Sequence, residues 1–190
     1  PYSFALTIRL TASAGALAES QVRTLVFVHG DADLLPDFPI DLGAHVKAAP
    51  RTLDGDGDGG EEIFIATTEG TIERRDARGE SPSGWPVRGP RLSDGGPEAF
   101  TTAPALTPLG IREAPAVIAV TSFGTLLAFD LAGKLRPGFP QRLSAERAAG
   151  AFGPPAVADL DGDGRPEIVV LESRGRVHVI EPDGTARPGF

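Results

Sequence analysis

The chain has 190 residues, a formal net charge of −8, and neither Cys nor Met. Without Cys there are no disulfides and no thiolate metal sites, and an acidic balance with no basic stripe argues against a nucleic-acid binder. No apolar run approaches the roughly 18 residues of a membrane-spanning helix, while 24 Gly and 18 Pro favour short elements joined by turns.

Self-similarity organises the chain into units, expected at 1–40, 41–86, 87–140 and 141–190. The first is partial. Leu25-Val26-Phe27-Val28 aligns with the strand expected from Ile72, and Phe38-Pro39 lies 47 residues before Trp85-Pro86, but residues 1–22 do not align with later units. The second unit carries Pro50, an acidic loop Asp54-Gly-Asp56-Gly-Asp58-Gly-Gly-Glu-Glu62, turn glycines Gly70 and Gly79, and Trp85. The third repeats Pro104, Gly124, Gly133 and Phe139 at an offset of 54 from Pro50, Gly70, Gly79 and Trp85, with apolar runs Val117–Val120 and Thr125–Phe129. In the fourth, Pro155-Ala-Val-Ala-Asp159 enters a second acidic loop, Asp159-Leu-Asp161-Gly-Asp163-Gly-Arg-Pro-Glu167. The β-branched run Glu167–Leu171 leaves it, and Glu172–Gly175 turns into the alternating strand Arg176–Ile180. One offset of 105 maps the second unit onto the fourth, from Pro50 on Pro155 to Trp85 on Phe190.

Units of 47–54 residues with three or four antiparallel strands predict an all-β fold of propeller blades. A sandwich would not predict the same loop, turns and aromatic at fixed places in successive units. The aromatic endings (Phe38, Trp85, Phe139, Phe190) are expected to pack between blades rather than form a ligand cage.

The acidic loops are the candidate sites. An EF-hand would need a Glu at position 12 and a following helix; here position 12 is Ile65 or Val170, and a β run follows. What remains is a β-hairpin loop with carboxylates at positions 1, 3, 5 and 9. Asp54, Asp56 and Asp58 supply the first three, the carbonyl of Gly60 a fifth ligand, and Glu62 closes the site. In the other loop these roles fall to Asp159, Asp161, Asp163, the carbonyl of Arg165, and Glu167. An all-oxygen, irregular set selects Ca²⁺ over Zn²⁺ and is too crowded for Mg²⁺. Two structural Ca²⁺ sites follow, coupled to blade stability. The third unit has Pro108, Gly110, Arg112 and Ala116 at the ligand positions, and Arg112 is expected to bring a charge where an ion would sit.

The run Pro-Ala-Val-Ala-Asp-Leu-Asp-Gly-Asp-Gly-Arg-Pro-Glu-Ile-Val-Val resembles the FG-GAP/VCBS repeat family, the calcium-loop propellers that include the integrin α-subunit head, with the trailing Gly-Phe-Pro of bacterial members. The resemblance covers residues 45–190 and, more weakly, 22–40. It implies a mainly structural Ca²⁺ between the first two strands of a blade and partner contacts on the opposite face. The resemblance implies a ring of about seven blades, and three and a half to four are present here, so either the ring is incomplete in this chain or it is an unusually small closed one; the reading favoured is a portion of a larger propeller, its other blades supplied by the rest of the polypeptide or another chain. The absence of Met and the Pro at position 1 are expected of a processed form or a part of something longer.

The function expected is a binding or adhesion scaffold for a protein or carbohydrate ligand, at the cell surface, outside the cell or in the periplasm, where millimolar Ca²⁺ suits such loops. The alternatives are an accessory or catalytic portion of a larger secreted hydrolase or lyase, and a structural subunit of a surface assembly. No catalytic constellation is visible. His29, His45 and His178 occupy unrelated repeat positions, and Glu61, Glu69 and Glu73 are expected on a solvated hairpin face.

Overall fold

A computed structural model of the chain describes residues 2–12, 18–28, 38–144 and 152–189. The chain divides into two compact units, Pro1–Phe38 and Pro39–Phe190. In the first, β1 (Tyr2–Ala12) and β2 (Ala18–Val28) pair antiparallel along their full length, Tyr2 opposite Val28 and Ala12 opposite Ala18. Leu25–Val28 is thus strand, but in a two-stranded hairpin whose strands have 11 residues, longer than any strand of the blades.

The described residues of the second unit form three antiparallel meanders. The first blade is β3 (Arg51–Leu53), β4 (Glu62–Ala66), β5 (Thr71–Arg75) and β6 (Val87–Arg88), hydrogen-bonded in that order. The second is β7 (Ala105–Thr107), β8 (Ala116–Val120), β9 (Thr125–Phe129) and β10 (Gln141–Arg142). The third is β11 (Ala156–Ala158), β12 (Glu167–Glu172) and β13 (Arg176–Ile180).

The core lies between blades, in two layers. Phe64, Ala66, Ile72 and Trp85 of the first blade meet Phe100, Val117, Ala119, Leu127 and Phe129 of the second. Ile118, Val120, Leu126 and Phe139 of the second meet Phe152, Ile168, Val170 and Ile180 of the third. Alternate residues of a strand face opposite sides, so Val117 and Ala119 serve one layer while Ile118 and Val120 serve the other. This is why β8 (Ala-Val-Ile-Ala-Val) is apolar throughout and β9 (Thr-Leu-Leu-Ala-Phe) is apolar but for Thr125: every residue in them is buried. The corresponding strands of the flanking blades, β4 and β12, leave alternate residues partly exposed. Each large side chain buried in these layers contributes about 1.5–3 kcal/mol.

Two of the four aromatic endings pack between blades as expected. Trp85 and Phe139 are buried, Trp85 edge-on to Phe64 at 5.6 Å, and its Nε1–H donates to the Leu131 carbonyl of the next blade at 2.9 Å. Phe38 is half-buried and Phe190 lies outside the described residues. The glycines before Trp85 and Phe139 permit a backbone-to-backbone seam. A Cβ at Gly84 would stand 2.1 Å from the Ala132 carbonyl oxygen, and one at Gly138 would stand 1.7 Å from that of Asp183. The turns received there share one geometry: the Gly79, Gly133 and Gly184 amides donate to the carbonyls of Asp76, Asp130 and Glu181 at 2.9, 3.0 and 2.9 Å.

Candidate metal centre

Each acidic loop joins the first two strands of its blade and folds through its own carboxylates. In the first, Asp54 accepts from the Gly57 amide (Oδ1, 2.8 Å) and the Gly59 amide (Oδ2, 3.1 Å). Asp56 accepts from Asp58 N at 3.1 Å, Asp58 from Gly60 N at 2.7 Å, and Glu62 Oε2 from Gly55 N at 2.8 Å. The second loop repeats all five bonds 105 residues later: Gly162 and Gly164 to Asp159 (2.7 and 2.9 Å), Asp163 to Asp161 (3.0 Å), Arg165 to Asp163 (2.7 Å) and Leu160 to Glu167 Oε2 (2.7 Å). Gly57 and Gly59 sit at φ +78° and +89°, Gly162 and Gly164 at +80° and +85°, the left-handed region where only glycine is unstrained. The loop conformation is thus written locally in the Asp-Gly alternation.

Two groups of carboxylate oxygens lie within 4.8 Å of one another: Asp54, Asp56 and Asp58, and Asp159, Asp161 and Glu167. Oxygens bound to one Ca²⁺ at about 2.3–2.6 Å are separated by no more than about 5 Å, so both spacings suit one hard cation. Glu62 and Asp163 stand outside these groups. Gly60, Asp56, Asp58 and Glu62 line a hollow of about 320 Å³ that Asp76 and Arg78 complete.

The glutamate at position 9 opens the second strand and is buried in both loops. Its other oxygen faces an arginine. Arg74 Nη2 is 2.8 Å from Glu62 Oε1 and 3.9 Å from Asp56, while its Nη1 donates to the Leu131 carbonyl at 2.7 Å. Arg187 donates from Nη2 to Asp161 Oδ2 at 2.7 Å and sets Nη1 3.0 Å from Glu167 Oε1. The second contact is ionic without hydrogen-bond geometry, and Glu167 Oε1 is buried with no hydrogen-bond partner. The Arg187 guanidinium gives this desolvated oxygen a counter-charge but no hydrogen bond. The donor set, all oxygen and anionic, fits a hard divalent ion. The Arg187 hydrogen bond, and after it the Asp163 amide, hold the Asp161 carboxyl below the usual carboxylate range.

The middle blade also brings an arginine to its loop. Arg112 is exposed at a left-handed φ of 61°. Arg136 reaches the degenerate loop from outside it, its Nη2 meeting Glu113 Oε2 at 2.5 Å. Arg136-Pro-Gly-Phe and Arg187-Pro-Gly-Phe are the same motif 51 residues apart, each returning a guanidinium to the loop of its own blade. The first blade has Pro82 at that position and uses Arg74 of β5 instead. These arginines were not among the expected site residues, although the recurring Arg-Pro-Gly-Phe was the available signal.

The chain is similar to BamB from Moraxella catarrhalis, a β-propeller protein, with 18% identity and a TM-score of 0.50, over 77% of this chain and 37% of that one. The fold is a set of propeller blades. A second similar structure is BBS1N in complex with ARL6DN, at 17% identity and a TM-score of 0.46, over 75% of this chain and 42% of that one. The chain thus spans well under half the length of these propellers. No protein-family model and no curated protein matches it.

Other candidate residues fall outside the loops. Glu61 and Glu69 are exposed as expected, but Glu73 is buried, because Arg75 Nη2 reaches its Oε2 at 2.7 Å and neutralises it. His45 is exposed and paired with Glu69 at 2.9 Å. His178 is packed near the Phe152 ring and lies 3.2 Å from buried Glu172. His29 lies outside the described residues.

Proposed function

We propose that this chain is a calcium-stabilised propeller segment of the FG-GAP/VCBS kind that works in the cell envelope or outside the cell as a rigid scaffold for binding a protein or glycan. The observation that carries the reading is the duplicated loop. Five backbone-to-carboxylate bonds recur at one offset, and in the third-blade copy oxygens of Asp159, Asp161 and buried Glu167 lie within 4.8 Å of one another. Asp54, Asp56, Asp58 and Glu62 would hold one Ca²⁺; Asp159, Asp161, Asp163 and Glu167 would hold the other, with the Gly60 and Arg165 carbonyls as further ligands. The ion would supply positive charge that lets four carboxylates share one loop, so the chain's own role is to position oxygens and stiffen the β3–β4 and β11–β12 hairpins.

No catalytic step is assigned to these blades. In an antiparallel meander the turns β4–β5, β8–β9 and β12–β13 lie at the other end of each blade from the acidic loops. That end is the face we assign to partner contacts. Thermal unfolding tests the metal part: the midpoint should rise in millimolar Ca²⁺ relative to EDTA and respond less to Mg²⁺. Identical midpoints in Ca²⁺ and EDTA would sink it. A glycan array with the holoprotein then separates a carbohydrate ligand from a protein one.

A further inference from the structure

We propose that the second blade, whose loop has lost its carboxylate ligands, carries a metal-free binding site for a neutral oligosaccharide. The site lies at the acidic-loop end of the blade, apart from the face assigned to partners above, and does not rest on that assignment.

A hollow of about 630 Å³ opens beside the degenerate loop, within the roughly 300–1,000 Å³ of small-ligand sites. It is lined by the second blade alone, and both sheet faces of that blade are covered by neighbours in the same chain. The first blade has a hollow in the same place. Gly60, Glu61 and Asp76 line it where Ala114, Pro115 and Asp130 line the larger one, but its volume is about 320 Å³. The second blade lacks side chains that occupy the loop in the other two. Fully buried Ala116 stands where they have the buried glutamates Glu62 and Glu167, and Gly110 stands where they have Asp56 and Asp161. Arg136, the counterpart of Arg187, meets neither carboxylate there and pairs with Glu113 instead. Gly110 leaves room for that pair: a Cβ there would stand 2.7 Å from the Glu113 carboxyl carbon.

The neighbouring blades hold the two walls in place. One wall is the turn at 130–134. From it Leu131 packs 3.2 Å from a Cβ built at Gly55 of the first blade, and the Leu131 carbonyl accepts from Arg74 and Trp85 at 2.7 and 2.9 Å. The other wall is the loop at 110–115. Its Ile111 sets Cδ1 2.9 Å from a Cβ built at Gly164 of the third blade. A hollow braced from both sides needs little ordering when a ligand enters.

The lining selects the ligand. Glu113 and Asp130 are acidic, Lys134 and Arg136 basic, so the hollow carries no net formal charge and favours neither a cation nor an anion. Carboxylate acceptors beside ammonium and guanidinium donors complement sugar hydroxyls, which donate and accept at once. Asp130 is fixed in its turn by accepting the Lys134 amide at 2.8 Å, and the Lys134 residue itself is exposed. Pro115, Leu135 and Pro137 supply apolar surface for the C–H face of a sugar ring.

Calorimetric titration with maltotriose, cellotriose, mannotriose and xylotriose tests this, with trigalacturonate and a glucosamine trimer as charged controls. One neutral trisaccharide should bind, one per chain and more tightly than either charged trimer. It should do so in Ca²⁺ and in EDTA alike, at a temperature where both forms are folded. Ala114→Trp, which fills the hollow from an exposed position, and Lys134→Ala should each weaken binding about tenfold or more while melting like the wild type. Arg78→Ala, in the first blade's hollow, should leave the affinity unchanged. No binding of any neutral trisaccharide, tighter binding of a charged trimer, or an affinity that responds to Arg78→Ala and not to Lys134→Ala would overturn the proposal. Binding that vanishes in EDTA would move the sugar to the calcium loops and overturn it as well, while leaving the calcium reading intact.

Discussion

The seam between blades can be weighed with a pair of alanine substitutions. Gly138 has φ +85°, and a Cβ there would fall 1.7 Å from the Asp183 carbonyl oxygen. Gly95 has the same φ of +85° in a turn closed by its amide on the Leu92 carbonyl at 2.9 Å, with nothing within 4 Å of an added methyl. Holding an L-residue in the left-handed region costs about 1–2 kcal/mol, which both Gly138→Ala and Gly95→Ala incur. Only Gly138→Ala must also push the Glu181–Gly184 turn of the third blade away, an overpacking cost of about 1–3 kcal/mol. The expected destabilisation is therefore roughly 2–5 kcal/mol against 1–2 kcal/mol. For a chain of this size each kcal/mol moves the midpoint by about 2–4 °C, so calorimetry resolves the two. Equal losses in the two variants would refute the idea that the repeated glycine exists for close approach of blades and not only for its own turn.

Glu98 and the Arg187 contact yield two further expectations. Glu98 is fully buried and accepts from the Thr121 and Thr125 hydroxyls at 2.7 Å each and from Arg142 at 3.0 Å. Burial works to raise its pKa, but the bonds from Thr125, Thr121 and Arg142 together hold it below the ordinary value of 4.5. Such a group stabilises the fold above its unfolded pKa and loses that contribution as pH falls through the folded one. Glu98→Gln should accordingly cost about 1.5–3 kcal/mol at neutral pH, the worth of a charged hydrogen bond, and progressively less as pH falls below 4.5; a difference independent of pH in urea titrations would contradict this. Arg187→Gln removes the guanidinium bonded to Asp161, so it should weaken the fold in EDTA and tighten Ca²⁺ binding at the third-blade loop several-fold by calorimetric titration; unchanged affinity would show that the arginine does not compete with the ion.

How legible each feature was depends on the range of the interactions that make it. The acidic loops could be read because Asp54, Asp56 and Asp58 accept from amides two to five residues on, so their geometry is encoded in adjacent letters. The buried second blade could be read from the apolar runs Ala116–Val120 and Leu126–Phe129. Arg74 was hidden because its partners, Glu62 and the Leu131 carbonyl, lie 12 and 57 residues away. The Glu98 network spans up to 44 residues, and its acid has no counterpart in the other units. Strand β1 was not legible although Phe4, Leu6, Ile8 and Leu10 alternate, because residues 1–22 have no counterpart in the repeated units.

The most direct test of the calcium loops is a count of bound metal by native mass spectrometry after dialysis against Ca²⁺. Two acidic groups predict two Ca²⁺ per wild-type chain, and Asp159→Ala should retain one. A wild-type chain that binds no Ca²⁺, or an Asp159→Ala chain that still binds two, would contradict the reading of these loops as calcium staples.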